Sequence, residues 1–136
     1  MSLIINNLTK TFGSQIALNN ITISSEKNEI IGLLGPNGAG KSTLMKSIVG
    51  ALKIEQGEIF LDGTNITESE IETKKKIGFL PENNPLYLEM YVKEYLQFVA
   101  NIHKIQTSRV NEVIETVGLS QEKSKKISQL SKGYKQ

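Results

Sequence analysis

Apolar and polar positions along the 136-residue chain change rhythm several times, and each change marks an element. Residues 3–5 and 21–23 are short apolar or β-branched stretches. Gly13-Ser14 between them has the chemistry of a turn, so the first third reads as paired strands. Glu29-Ile-Ile-Gly-Leu-Leu34 differs, because its apolar residues run on without alternating, the pattern of a strand buried on both faces. A glycine-rich turn follows it directly. From Lys41 onward, Leu44, Met45, Ile48, Val49 and Leu52 recur at helical spacing, and the pattern ends between Gly50 and Gly57.

Further along, Glu58 to Gly63 predicts a short strand closed by an Asp-Gly turn, and Ile77 to Pro81 another, stopped by its proline. The second half turns helical. Val92, Tyr95, Leu96, Val99 and Ile102 form one apolar face, and Val110, Val113, Ile114 and Val117 form another that ends at Gly118. No repeat or low-complexity linker interrupts the order of strands, then strand-loop-helix, then a helical insert, which is a mixed α/β pattern.

Composition narrows the chemistry only a little. The length suits one domain with a real core, and a net charge of +2 with 22% charged residues does not call for nucleic acid or an anionic surface. Five lysines fall in the last sixteen residues, a run read first as a solvated face. Cysteine is absent, so disulfides and thiolate metal sites are excluded and any metal must sit on oxygen ligands. No stretch approaches the ~20 apolar residues of a spanning helix and no signal-like segment opens the chain, so membrane association is expected only through a partner.

The glycine-rich turn carries the sharpest signal. Gly35, Pro36, Asn37, Gly38, Ala39, Gly40, Lys41 and Ser42 match G-x-x-x-x-G-K-[ST], with Thr43 following, a predicted buried strand before and an amphipathic helix after. Glycines let backbone N–H groups converge on phosphate oxygens, and the helix starting at Lys41 adds the positive end of its dipole. Lys41 is expected to reach the β and γ phosphates, and the Ser42 hydroxyl to ligate Mg²⁺. A glycine turn with an incidental lysine is the competing reading. The loop alone does not name the nucleotide or decide whether anything is hydrolysed.

The sequences "LTKTFGSQIALNNITI" and "GLLGPNGAGKSTLMKSIVGALKIEQGEIFLDGTNI" resemble the ATP-binding subunits of ABC transporters, a resemblance that runs the length of the chain. It implies a P-loop ATPase of mixed α/β class, with an N-terminal antiparallel β region, part of a parallel core sheet and a helical insert. Residues 1–80 would form the strand-rich region with the phosphate loop; residues 81–136 would hold the Q-loop, the helical region and the start of the signature motif.

By the same resemblance, Phe12 stands where an aromatic residue stacks on adenine, the alternative being ordinary core. "IGFLPENNPLY" is similar to the Q-loop, with Glu82 in place of the usual glutamine; a carboxylate still meets Mg²⁺ through oxygen but cannot donate as an amide does. Asn28-Glu29 stands where Gly-Glu is frequent, and asparagine tolerates a left-handed turn. "FLPE" together with "QLSKGYKQ" is similar to ABC-2-type export ATPases, including those associated with gliding motility.

The end of the chain, Leu130-Ser-Lys-Gly-Tyr134, resembles the Leu-Ser-Gly-Gly-Gln signature, keeping Ser131 and Gly133. In the family's head-to-tail dimer these residues close over ATP on the second ATPase subunit, aided by the helix that follows them. That helix should only just begin here, so Ser131 is expected to lack a fixed position. The Walker B aspartate, the catalytic glutamate and the switch histidine fall after the signature and are not matched. Asp62 is followed by Gly63 and reads as a hairpin turn, and His103, the single histidine, as a solvent-facing helix residue.

The expectation is a truncated N-terminal portion that binds ATP with Mg²⁺ and has no catalytic residue and no appreciable turnover of its own. A parallel sheet built on Glu29–Leu34 without its neighbour would expose an apolar edge and lower solubility. The full-length protein would drive export by membrane-spanning subunits from the cytoplasmic face of the membrane, without nucleic acid. Two alternatives stay open: a soluble, non-transport ABC-type ATPase, and a binding-only fragment. A P-loop kinase or GTPase is weaker, since no Asn-Lys-x-Asp guanine motif occurs.

Overall fold

The computed structural model describes residues 2–136, which divide into two compact units, one up to Phe79 and one from Leu80 to Gln136. The first unit is built on a four-stranded antiparallel sheet in the order β2-β1-β3-β4. Strands β1 (Leu3–Phe12) and β2 (Gln15–Ser25) form a long hairpin across the Gly13-Ser14 turn, paired Phe12 to Gln15 at the tip and Leu3 to Ser25 at the base. Strand β3 (Gln56–Leu61) lies on the other edge of β1, and Asp62-Gly63 turns it into β4 (Thr64–Asn65).

That turn uses left-handed φ values of 48° at Asp62 and 77° at Gly63, as a two-residue hairpin requires. The Ser2 N–H donates to Asp62 Oδ1 at 2.8 Å and holds the carboxyl below the ordinary carboxylate range. Asp62 is thereby a turn residue, as its following glycine predicts.

One face of the sheet carries the first core. Ile5, Leu8, Leu18, Ile59 and Leu61 are buried and meet Leu44 of helix α1 (Lys41–Ile48) and Ile66 just past β4. Helix α2 (Glu70–Lys74) adds buried Thr73, whose hydroxyl donates to the Ser69 carbonyl at 2.9 Å. Lys10 is the buried cation of this unit, only 7% exposed. Its Nζ donates to Glu55 Oε1 at 2.6 Å, while the Thr11 hydroxyl donates to Glu55 Oε2 at 3.1 Å.

Two expected strands are absent. Glu29–Leu34 forms none, and Ile30 and Leu34 are fully solvent-exposed at 103% and 93%. A continuous apolar run becomes a buried strand only where neighbouring strands complete its hydrogen-bond ladder, and among the described residues none pairs with it. The described sheet is accordingly antiparallel, not parallel. Ile77–Pro81 likewise makes no strand: Ile77 packs against the first core while Phe79 and Leu80 face solvent.

The second unit is helical. Helix α3 (Val92–Ile102) buries Val92 and Ala100, helix α4 (Ser108–Thr116) buries Val110 and Ile114, and Leu96 and Leu119 pack where the two meet. Glu94 reaches back to accept the Tyr91 N–H at 3.1 Å, which satisfies one donor at the start of α3. Ile102 and Val117, assigned by periodicity to the apolar faces, stand at helix ends and are exposed, as is His103.

A turn of 3-10 helix (Ile127–Gln129) buries Ile127 against Val92 and Leu130, and the chain closes on the short helix α5 (Lys132–Lys135). No helix among the described residues is long and apolar enough to cross a membrane.

Candidate functional site

The loop between Leu34 and helix α1 is shaped by two glycines in left-handed conformation, Gly38 at φ 85° and Gly40 at φ 84°. Gly40 serves as the N-cap of α1 without a side-chain hydrogen bond, and no acidic residue lies in the first helical turn. The first bond of the helix runs from the Leu44 N–H to the Gly40 carbonyl at 2.8 Å, so the N–H groups of Lys41, Ser42 and Thr43 have no partner within the helix. They gather at the positive end of the helix dipole, in a turn that carries no acidic side chain.

Lys41 turns back over the loop. Its ammonium donates to the carbonyls of Gly35 and Pro36, each at 2.7 Å, and the Ala39 N–H donates to Pro36 O at 3.3 Å. The cation therefore sits inside the bend of the loop instead of extending into solvent. With the hydroxyls of Ser42 and Thr43, residues 35–43 present an ammonium, free amides and hydroxyls and contain no carboxylate. That donor set fits a polyphosphate, since it offers hydrogen bonds and positive charge and no repelling group.

Phe12 ends β1 and is half exposed, with the Lys10 ammonium 5.4 Å from its ring centroid. It is not part of the first core, whose last member on that strand is Leu8. The structure thus places Phe12 and residues 35–43 in the same unit, with the helix of the loop packed against β2.

Glu82, Ser131 and Gly133 belong to the second unit. Glu82 is exposed. Ser131 departs from expectation: it is the N-cap of α5, with its Oγ accepting the Tyr134 N–H at 3.3 Å and its carbonyl accepting the Lys135 N–H at 3.1 Å. Capping is a local transaction, so the few residues Lys132–Lys135 suffice to fix the serine.

Asn84 adds a tie that the sequence did not suggest, its Nδ2 donating to the Lys135 carbonyl at 3.0 Å. A cleft of about 340 Å³ in this unit is lined mostly by apolar side chains, Val92, Leu96, Val113 and Leu130 among them, with Asn84, Tyr134 and Lys135 at its polar side. Among the described residues no cluster of three or more carboxylates or histidines forms a ready metal cage.

A G-x-x-x-x-G-K-S loop that leads into an amphipathic helix is the pattern of P-loop nucleotide-binding proteins. Residues 18–136 match the family model described as ABC transporter, and the chain belongs to that family. It is 35% identical to a probable sulfate/thiosulfate import ATP-binding protein of Chlorella vulgaris, over all of this chain and 59% of that protein. A lantibiotic transport ATP-binding protein of Streptococcus pyogenes is 32% identical over 97% of this chain and 56% of its own length.

Among solved structures, a putative ABC transporter ATP-binding protein from Pyrococcus furiosus aligns with a TM-score of 0.80 and 33% identity, over 98% of this chain and 65% of the other. The chain therefore spans less than two thirds of the length of each of these three.

Proposed function

We propose that these 136 residues hold MgATP as the N-terminal part of an ATP-binding subunit of an ABC transporter. The observation that carries this reading is the Lys41 ammonium held inside a carboxylate-free loop whose helix-start amides lack partners. Lys41 would neutralise the β and γ phosphates, the amides around Gly38–Thr43 would fix their oxygens, and Phe12 would lie against adenine. Ser42 supplies a hydroxyl oxygen of the kind Mg²⁺ takes, the ion when bound would offset phosphate charge, and the role of Glu82 as a further ligand rests on the family resemblance alone. The proposed activity of these residues is binding: the loop would position phosphate oxygens, and activation of water needs a residue outside it.

In the whole protein, Ser131 and Gly133 would contact ATP on a second ATPase subunit, and membrane-spanning partners would couple the cycle to export from the cytoplasmic face. The "FLPE" and "QLSKGYKQ" stretches support the export assignment. The test is nucleotide titration of the chain and of Lys41→Ala: binding that disappears in the variant is expected, and unchanged affinity would overturn the assignment of the loop. Phosphate release by the chain above that of Lys41→Ala would overturn the restriction to binding.

A further inference from the structure

We propose that Asn37 is a site of spontaneous deamidation placed inside the phosphate loop, so that chemical ageing of this one residue inactivates the nucleotide site and bound nucleotide protects it. Inactivation and protection rest on the proposed function; the reactivity of Asn37 does not. Asn37-Gly38 is the only asparagine-glycine pair in the chain. The reaction needs the amide nitrogen of the following residue to reach the side-chain carbonyl carbon, and a glycine there leaves the approach unobstructed. Asparagine is for this reason among the thermally labile residues.

The structure leaves both reacting groups free. Asn37 and Gly38 lie in a turn outside every helix and strand and are exposed. Among the described residues, the Gly38 N–H donates no backbone hydrogen bond, the Asn37 carboxamide makes none with any other side chain or backbone group, and a Cβ built on Gly38 would meet no atom within 4 Å.

Three other asparagines are held by side-chain hydrogen bonds. Asn65 Oδ1 accepts from the Thr67 N–H and hydroxyl, Asn7 Oδ1 accepts from the Thr22 hydroxyl, and Asn84 Nδ2 donates to the Lys135 carbonyl. Each is also followed by a bulkier residue than glycine: Ile66, Leu8 and Pro85.

The Gly38 nitrogen, after losing its proton to solvent base, bonds to Cγ of Asn37 and expels the side-chain nitrogen as ammonia, leaving a five-membered succinimide. Water then opens the ring at either carbonyl, giving aspartate or isoaspartate. The net change is one water consumed and one ammonia released, with no oxidant or cofactor. Either product sets a carboxylate among donors that would face phosphate, and isoaspartate also lengthens the backbone by one carbon. Phosphates drawing on the Gly38 N–H would in turn remove the attacking nitrogen from reaction.

The experiment is incubation of the purified chain at mildly alkaline pH, native, in urea, and native with MgATP, followed by peptide mass analysis and enzymatic methylation of isoaspartate. The expected result is conversion at Asn37 ahead of every other asparagine, at a native rate close to that in urea. Asn37→Gln should abolish the leading product, and the isolated deamidated chain should bind ATP about tenfold or more weakly, the scale set by one like charge beside the phosphates.

Native conversion far slower than in urea, or another asparagine reacting first, would overturn the site. A parallel nucleotide titration separates the two readings. If ATP binds and leaves the rate unchanged, protection is refuted. If ATP does not bind, the proposed function fails while the unliganded rate still decides the reactivity of Asn37.

Discussion

Gly40 faces the backbone of Ala17 so closely that a Cβ on it would lie 2.4 Å from the Ala17 carbonyl oxygen and 3.0 Å from Leu18 Cδ2. The second strand of the hairpin and the start of the phosphate-loop helix are thereby packed backbone to glycine, with room for no side chain. This glycine fixes the loop both by its conformation, φ 84°, and by its lack of bulk.

Gly40→Ala is expected to destabilise the first unit by about 2–4 kcal/mol, combining left-handed strain with overpacking against main chain that cannot retreat. Denaturant unfolding followed by a probe in the sheet measures it. A variant as stable as the parent would show that the loop and the β2 backbone separate readily.

Phe12→Ala tests base stacking apart from phosphate binding. The side chain is half exposed and lies outside the buried core, so its removal leaves the fold largely intact. Affinity for ATP is expected to fall by about 1–3 kcal/mol of stacking, with little change for inorganic triphosphate. Equal losses for the two ligands would place Phe12 away from the base.

Glu55 predicts a pH dependence. Its hydrogen bond from the buried Lys10, and then that from Thr11, hold its carboxyl below the ordinary value of 4.5. A carboxyl that binds its proton more weakly when folded adds stability above its unfolded pKa, and that stability is lost as pH falls through the folded pKa. Glu55→Gln should therefore be less stable than the parent at neutral pH and approach it in acid. Parallel pH-stability curves for the two proteins would show that the pair contributes nothing.

The exposed run predicts how the chain behaves in solution. Replacing Ile30 and Leu34 by glutamine should raise solubility and reduce binding of a hydrophobic dye while leaving the sheet's unfolding transition in place, because neither side chain packs on the core. A loss of that transition would show the run to be structural.

Local rules were enough where the structure is local. Gly13-Ser14 and Asp62-Gly63 turn the chain as their residue types dictate, and the α3 and α4 faces follow from a period of 3.6. The candidate loop was legible for the same reason, its glycines and lysine being contiguous.

Glu29–Leu34 was misread because burial of a strand depends on partners elsewhere in the chain, which an apolar run implies but does not supply. Helix α2 escaped notice although Ser69 and Glu72 carry the spacing of a capping box, a signal too short to stand out beside Lys74–Lys76. Ser131 was underestimated because one turn of helix is enough for a cap. No pattern in the sequence announces that Lys10 is buried or that Glu55, 45 residues away, meets it.

The Lys41 ammonium already rests on the carbonyls of Gly35 and Pro36. A lysine in free solution carries about 2 kcal/mol of rotamer entropy, and here much of it is surrendered before a nucleotide arrives. Under the proposed function, capture of a phosphate would be an exchange of partners around a stationary cation: two carbonyl oxygens would release it, and the ligand's oxygens would take their place. Affinity at the proposed site would then follow how well a ligand outcompetes the loop's own main chain, which becomes the first rival to any nucleotide.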